Sequence, residues 1–137
     1  MIAWVVSALT GDATLMALLT GGVHRVEVTR QGTPSAFDAN LELKPCMVVR
    51  QESRSPVGPL DQGGQVFVVL WVYSRADDGV IDSAVRRAWV LLNGKKLGTG
   101  MWEMRHVNDL MEMEDQGLGA RLGVSRYRAV VNRETVG

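Results

Sequence analysis

Residues Gln65 to Arg75 read QVFVVLWVYSR, and their alternation decides the fold. Successive strand side chains point to opposite faces. Val66, Val68, Leu70, Val72 and Ser74 form one face, a smooth aliphatic wall. Gln65, Phe67, Val69, Trp71, Tyr73 and Arg75 form the other, which is aromatic with polar ends. The aliphatic wall calls for a helix upon it. The aromatic face calls for a second cover, either another layer of this chain or a neighbouring subunit. Burial on both faces is also ordinary for a central strand.

A helix follows at once. In Val80 to Leu92 the residues Ile81, Ala84, Val85, Ala88 and Leu92 form an apolar stripe, with Asp82, Arg86 and Arg87 away from it. Asp77 or Asp78 is placed to cap its start and Asn93-Gly94 to close its end. Trp89 lies at the stripe's edge. This helix is expected on the aliphatic wall.

On the N-terminal side, Ile2, Val5, Val6 and Leu9 keep the spacing of one helical face. Gly11 breaks it, and Asp12 suits the N-cap of a second helix, Ala13 to Leu19. Almost no basic side chain is available in this pair to meet DNA. Val23 to Thr29 reads as a strand with His24, Val26 and Val28 on one face. Gln31 to Asn40 reads as a loop, and Lys44 to Glu52 as a strand with Pro45 near its start. Ser53 to Gly64 holds two prolines and three glycines. It reads as an irregular loop, of a length that usually carries function.

Beyond the helix, Thr99 to Val107 reads as a strand, with Asn108 to Glu114 its continuation or a separate strand. A turn at Asp115 to Gly119 and a last strand, Arg121 to Val131, complete a hairpin. The class is α+β: an antiparallel or mixed β-sheet flanked by a short N-terminal helix pair and one central helix. Residues 1–137 are expected to form one domain, long enough to bury roughly 68% of the unfolded surface.

Fifteen basic residues balance fifteen acidic ones, so phosphate-backbone binding is not the main business of this chain. One cysteine, Cys46, excludes an intramolecular disulfide and fits a reducing interior. The apolar N-terminus lacks a basic leader and is interrupted by Asp12, which disfavours a signal peptide or spanning helix and suggests a soluble cytoplasmic product.

Chemistry is sparse. His24 and His106 are far apart and show no HxxxH or CxxC companion. Cys46, beside Met47 and Val48, reads as a buried inert thiol. Glu112, Glu114 and Asp115 read as a solvated hairpin tip rather than a cation site. Met101, Met104, Met111 and Met113 suit core filling or an adaptable contact surface. Arg121, Arg126 and Arg128 are the one basic cluster; Arg126 and Arg128 share a face and could meet an anionic partner or passing DNA, with pairing to Glu112 and Glu114 across the hairpin the preferred expectation. No phosphate loop and no nucleophile elbow is present. No catalytic, cofactor or metal residues are assigned, and the chain is expected not to be an enzyme.

The order of segments resembles a known family. LLTGGVHRVEV is close to an "ALLGGRVY" segment at the same place in small proteins of long-tailed phages. KPCMVVRQE resembles their "PYVVVQE" strand, and SRYRAVV their "RYR" ending. The long strand ending WVYSR and the helix in VIDSAVRRAWVLLNG fall between them in the same order. The chain departs in carrying Cys46 where an aromatic is frequent, and in a longer loop from Ser53.

The family is the tail-completion or tail-terminator proteins, similar to the terminator of lambda-like phages. The resemblance implies a virion protein made in the host cytoplasm, without cofactor or membrane. It implies a hexameric ring that ends tail-tube polymerisation and joins the tail to the head connector or stopper protein. DNA passes through the lumen without sequence-specific binding, so a neutral or mildly acidic lining is expected. A ring needs heterologous interfaces, which favour aromatics and arginine. Phe67, Trp71 and Tyr73, or the edge strands, are candidates for the subunit interface. Pro56, Val57, Pro59, Leu60 and Asp61 are the candidate docking loop. A head-completion or stopper protein is the nearest alternative. A small cytoplasmic α+β enzyme or a ligand-binding module is the alternative from another class; an acid–base pair in a pocket would mark the first, and the absence of a ring the second.

Overall fold

The computed structural model describes residues 2–56, 63–75 and 78–132. Helices α1 (Ile2–Thr10) and α2 (Ala13–Leu18) lead into β1 (Val23–His24), a short 3-10 turn at Pro34–Ala36 and β2 (Cys46–Pro56). Then come β3 (Gly63–Ser74), α3 (Asp78–Leu92), β4 (Arg105–Asp115) and β5 (Ala120–Asn132). The sheet runs β1-β2-β3-β5-β4. It is mixed only at its edge, where β1 lies parallel to β2; every other pair is antiparallel.

β3 is the centre. It pairs with β5 from Gly63↔Asn132 to Ser74↔Arg121, and with β2 on its other side. Its aliphatic wall meets the helix layer as the alternation requires. Val66, Val68, Leu70 and Val72 pack in one core with Ile81, Ala84, Val85, Ala88 and Leu92 of α3. Val5 and Leu9 of α1 and Leu15 of α2 extend that core across β2.

Asp12 fastens the helix layer together. Its carboxylate accepts the Leu15 N–H at 2.9 Å, capping α2, and accepts Arg87 Nε and Nη2 at 2.8 and 2.7 Å. A guanidinium gripping both oxygens gives a strong, oriented pair. Arg87 first, and the Leu15 N–H second, hold this carboxyl at about 2, below the ordinary 3.8. A depressed carboxyl stabilises the fold above its unfolded pKa, and that contribution disappears as pH falls through the folded one. Between 3.8 and about 2, the unfolding midpoint should therefore drop more steeply in the wild type than in Asp12→Asn, which keeps a capping side chain. Parallel curves in a pH series of thermal melts would contradict this.

Gly123 sets how closely α3 approaches the sheet. A Cβ there would stand 2.6 Å from Ile81 Cγ2 and 3.1 Å from Met111 Sδ. Gly123→Ala should cost about 1–3 kcal/mol, as overpacking in a filled core does. Urea unfolding measures it, and a midpoint equal to wild type would show that α3 has room to shift.

The sheet's second face is covered over one half only. The chain from Arg25 to Pro45 leaves the sheet edge and folds across it. Val28, Ala36, Phe37 and Leu43 pack there on Cys46, Val48, Tyr73, Ala120 and Leu122. The strand expected over Val23 to Thr29 is thus only Val23–His24. Side chains capture the backbone that would have continued it: Thr33 Oγ1 accepts the Thr29 N–H at 3.0 Å and Thr29 Oγ1 accepts the Gly32 N–H at 2.8 Å. Val26 turns out to solvent while Val28 goes in.

Two further boundaries differ from the sequence reading. The stretch from Ser53 to Gly64 is not wholly irregular, because β2 runs to Pro56 and β3 starts at Gly63, with Pro56 opposite Gly64. β1 shields β2 only at Met47 and Val48, so Pro56 lies on a free edge where a missing N–H breaks no ladder. A bulge between Gln51 and Arg54 absorbs one residue. The expected strand from Thr99 begins only at Arg105. Met101 and Met104 instead plug the core at the end of α3, held by Trp102 N–H to Val130 O and Met104 N–H to Lys95 O at 2.8 and 3.0 Å.

Candidate assembly surface

The open half of the second face is built in rows. Arg50 of β2, Val69 of β3, Arg126 of β5 and Asn108 of β4 lie side by side. The next row is Phe67, Arg128 and Arg105. Toward the covered half come Val48, Trp71, Val124 and Leu110. The register therefore gathers four arginines and two aromatics on one surface of a neutral chain.

The arginines are not equivalent. The Arg126 guanidinium lies 4.3 Å over the Phe67 ring and pairs with Glu52 at 2.8 Å. Arg105 pairs with Glu103 at 2.5 Å. Arg50 and Arg128 are exposed, and neither has an ion pair among the described residues. Arg128 also stands directly opposite Arg105 across the ladder, a like-charge arrangement that costs stability. Such a cost is removed when an anionic group meets the surface. Trp71 is half-buried and its Nε1–H, itself shielded, has no hydrogen-bond partner among the described residues.

Of the three aromatics proposed as an interface, Tyr73 lies under the Arg25–Pro45 segment and is almost fully buried. Burial pushes its phenol up to about 12. Phe67 belongs to the open half and Trp71 to its border, packed against the covered cluster; both stay half-buried. Within the proposed docking loop, Pro56 ends β2, while Val57, Pro59, Leu60 and Asp61 lie outside the described residues.

The basic cluster does not pair as the sequence suggested. Arg121 is opposite Glu114 in register, yet its guanidinium goes to Asp78 at the start of α3, at 2.7 Å. Arg126 reaches Glu52, across β3. Glu112 sits on a bulge of β4 with φ 60 and is exposed. Cys46 is fully buried and its thiol is raised to about 12 by burial. Met101 and Met104 are in the core, Met111 packs against it and Met113 is exposed.

His24 Nε2 bonds Gly21 O at 2.7 Å. His106, contrary to the sequence reading, has a partner: its Nε2 is 2.8 Å from Asp109 Oδ1. Residues three apart on a regular strand face opposite ways. The bulge between His106 and Asn108 brings both to the helix side, opposite Tyr127 and Ser125. Sequence reading also passed over Trp102 and Val90, both well exposed. Among the described residues no group of histidine, cysteine or carboxylate side chains could hold a metal ion, and no helix is long and apolar enough to cross a membrane.

No protein-family model and no curated protein matches the chain. Among solved structures it is similar to a chain described as "Virion of native gene transfer agent (GTA) particle", at 18% identity. The likeness covers 96% of this chain and 94% of that one, with a TM-score of 0.65. It shows the fold: α+β, with a five-stranded mixed sheet and three helices.

Proposed function

We propose that this chain is a structural virion protein of a tailed-phage-like particle. In this reading it forms a ring at the head-proximal end of the tail, ends tail-tube polymerisation and joins the tail to the head connector. The observation that carries it is the near-complete mutual coverage with a chain of a virion particle. The order of segments from LLTGGVHRVEV to SRYRAVV supports the terminator position within such a particle.

The subunit contact is assigned to the open half of the second face. Phe67, Trp71, Arg126 and Arg128 supply the aromatic and arginine chemistry that interfaces favour. Tyr73 serves as the covered floor beside it. Residues 56–61 are the segment proposed to meet the tail tube or connector. DNA passes through the lumen without specific binding, so the arginine rows face a neighbour rather than the lumen. The role needs no catalysis and no cofactor. Sedimentation velocity with negative-stain microscopy of the purified chain tests the ring: sixfold particles are expected, and monomers at every concentration would overturn it.

A further inference from the structure

The outer strand β4 carries opposite charge at its two ends. At its start, Lys96, Trp102, Arg105 and Arg128 line a recess of about 490 Å³. Trp102 is 68% exposed, a high value for an indole. Glu103 lines the recess too, but Arg105 claims it at 2.5 Å. Lys96 and Arg128 are exposed, and neither has an ion pair among the described residues. Arg105 and Arg128 stand directly opposite each other across the ladder and repel. The recess thus gathers two uncommitted cations beside an open aromatic ring.

At the other end of β4 the sign reverses. Glu112 and Glu114 are exposed, and among the described residues neither has an ion pair or hydrogen bond. Register puts Glu114 opposite Arg121, yet Arg121 is taken by Asp78. Glu112 stands on its bulge with φ 60, a left-handed conformation that glycine holds at less cost. Met113, between them, is 39% exposed. β4 is last in the sheet order, so side chains of both its faces are open along one edge. Glu27 is also exposed and unpaired among the described residues, but as a single charge elsewhere. The two ends of β4 lie roughly 20 Å apart along the strand and cannot meet within one chain.

The two ends complement each other in charge and in apolar content. Glu112 and Glu114 bring two negative charges for Lys96 and Arg128. Met113 brings a thioether to Trp102, and sulfur against an aromatic ring is favourable. A carboxylate placed between Arg105 and Arg128 relieves their repulsion with charge-assisted hydrogen bonds. A contact between two different patches of the same chain repeats head to tail, as a ring requires. We propose that the recess at Trp102 receives Glu112 and Glu114 of a second copy of this chain. The proposal rests on the ring reading and supplies the side of the contact that meets Arg128.

A charge exchange read by sedimentation equilibrium tests it. Glu112→Arg should weaken self-association by about 30-fold, as Arg128→Glu does. Thermal midpoints near wild type should accompany both losses, because both side chains are exposed. An equimolar mixture of the two variants should assemble within about threefold of wild type. Every junction of an alternating ring then joins opposite charges. Assembly of Glu112→Arg at wild-type strength, or a mixture as weak as its components, would overturn this contact and leave the ring standing. A wild-type chain that stays monomeric at every concentration would overturn the ring reading, and this contact with it.

Discussion

Replacing Leu70 with alanine should destabilise the fold by about 3–5 kcal/mol, the upper range for a buried leucine that leaves a cavity. Leu70 is fully buried at the middle of β3, between Val49 of β2 and Ser125 of β5. It belongs to the aliphatic wall that packs in one core with α3. Both neighbouring strands and the helix are held by continuous pairing or packing, so the space cannot collapse cheaply. For a domain of this size the thermal midpoint should fall by roughly 10 °C or more. Leu110→Ala provides the contrast, because Leu110 lies on the edge strand with 55% of its surface open and should change stability by no more than about 0.5 kcal/mol. Urea unfolding of the two variants checks both values. Similar losses from both would mean that the helix layer does not carry the core.

The second large effect is expected on assembly. Arg128→Glu should leave the monomer's unfolding midpoint close to wild type and weaken self-association by about 30-fold or more, as loss of an interface arginine worth about 2 kcal/mol does. Arg128 is exposed, lacks an ion pair among the described residues and faces Arg105 across the ladder. Within the described fold its charge only opposes that of Arg105, so the exchange should hold the midpoint or raise it slightly. Trp71→Ala should weaken association too, but through a half-buried side chain whose loss also costs stability. Arg128 therefore separates the two effects better. Lys95→Glu, on the turn after α3, is the charge control. Sedimentation equilibrium would show the loss, and an Arg128→Glu variant that assembles like the control would remove this face from the interface.

The core of the fold was legible because it depends on local periodicity. The aliphatic positions of β3 and the stripe of α3 recur at two and at three-to-four residues, and each side of that contact is written in a single stretch. The Asp12 cap was legible for the same reason, but its grip on Arg87 was not, since the two are brought together by the packing of α2 on α3. The aromatic alternation placed Phe67, Trp71 and Tyr73 on one face. It could not say that the Arg25–Pro45 segment would cover Tyr73 and stop short of Phe67. That outcome follows from Thr29 and Thr33 turning the chain off the sheet edge. Bulges were the other blind spot. The one near Val107 overrides the period of two and puts His106 beside Asp109. The arginine rows were hidden because they assemble from β2, β5 and β4, and register between distant strands is not visible in any one of them.

Electron microscopy of particles produced without this gene is the most direct test of the virion role. The account predicts filled heads beside separate tails of irregular, excess length. Normal tails beside heads that have lost their DNA would move the chain to the stopper position. Fully normal particles would contradict the account.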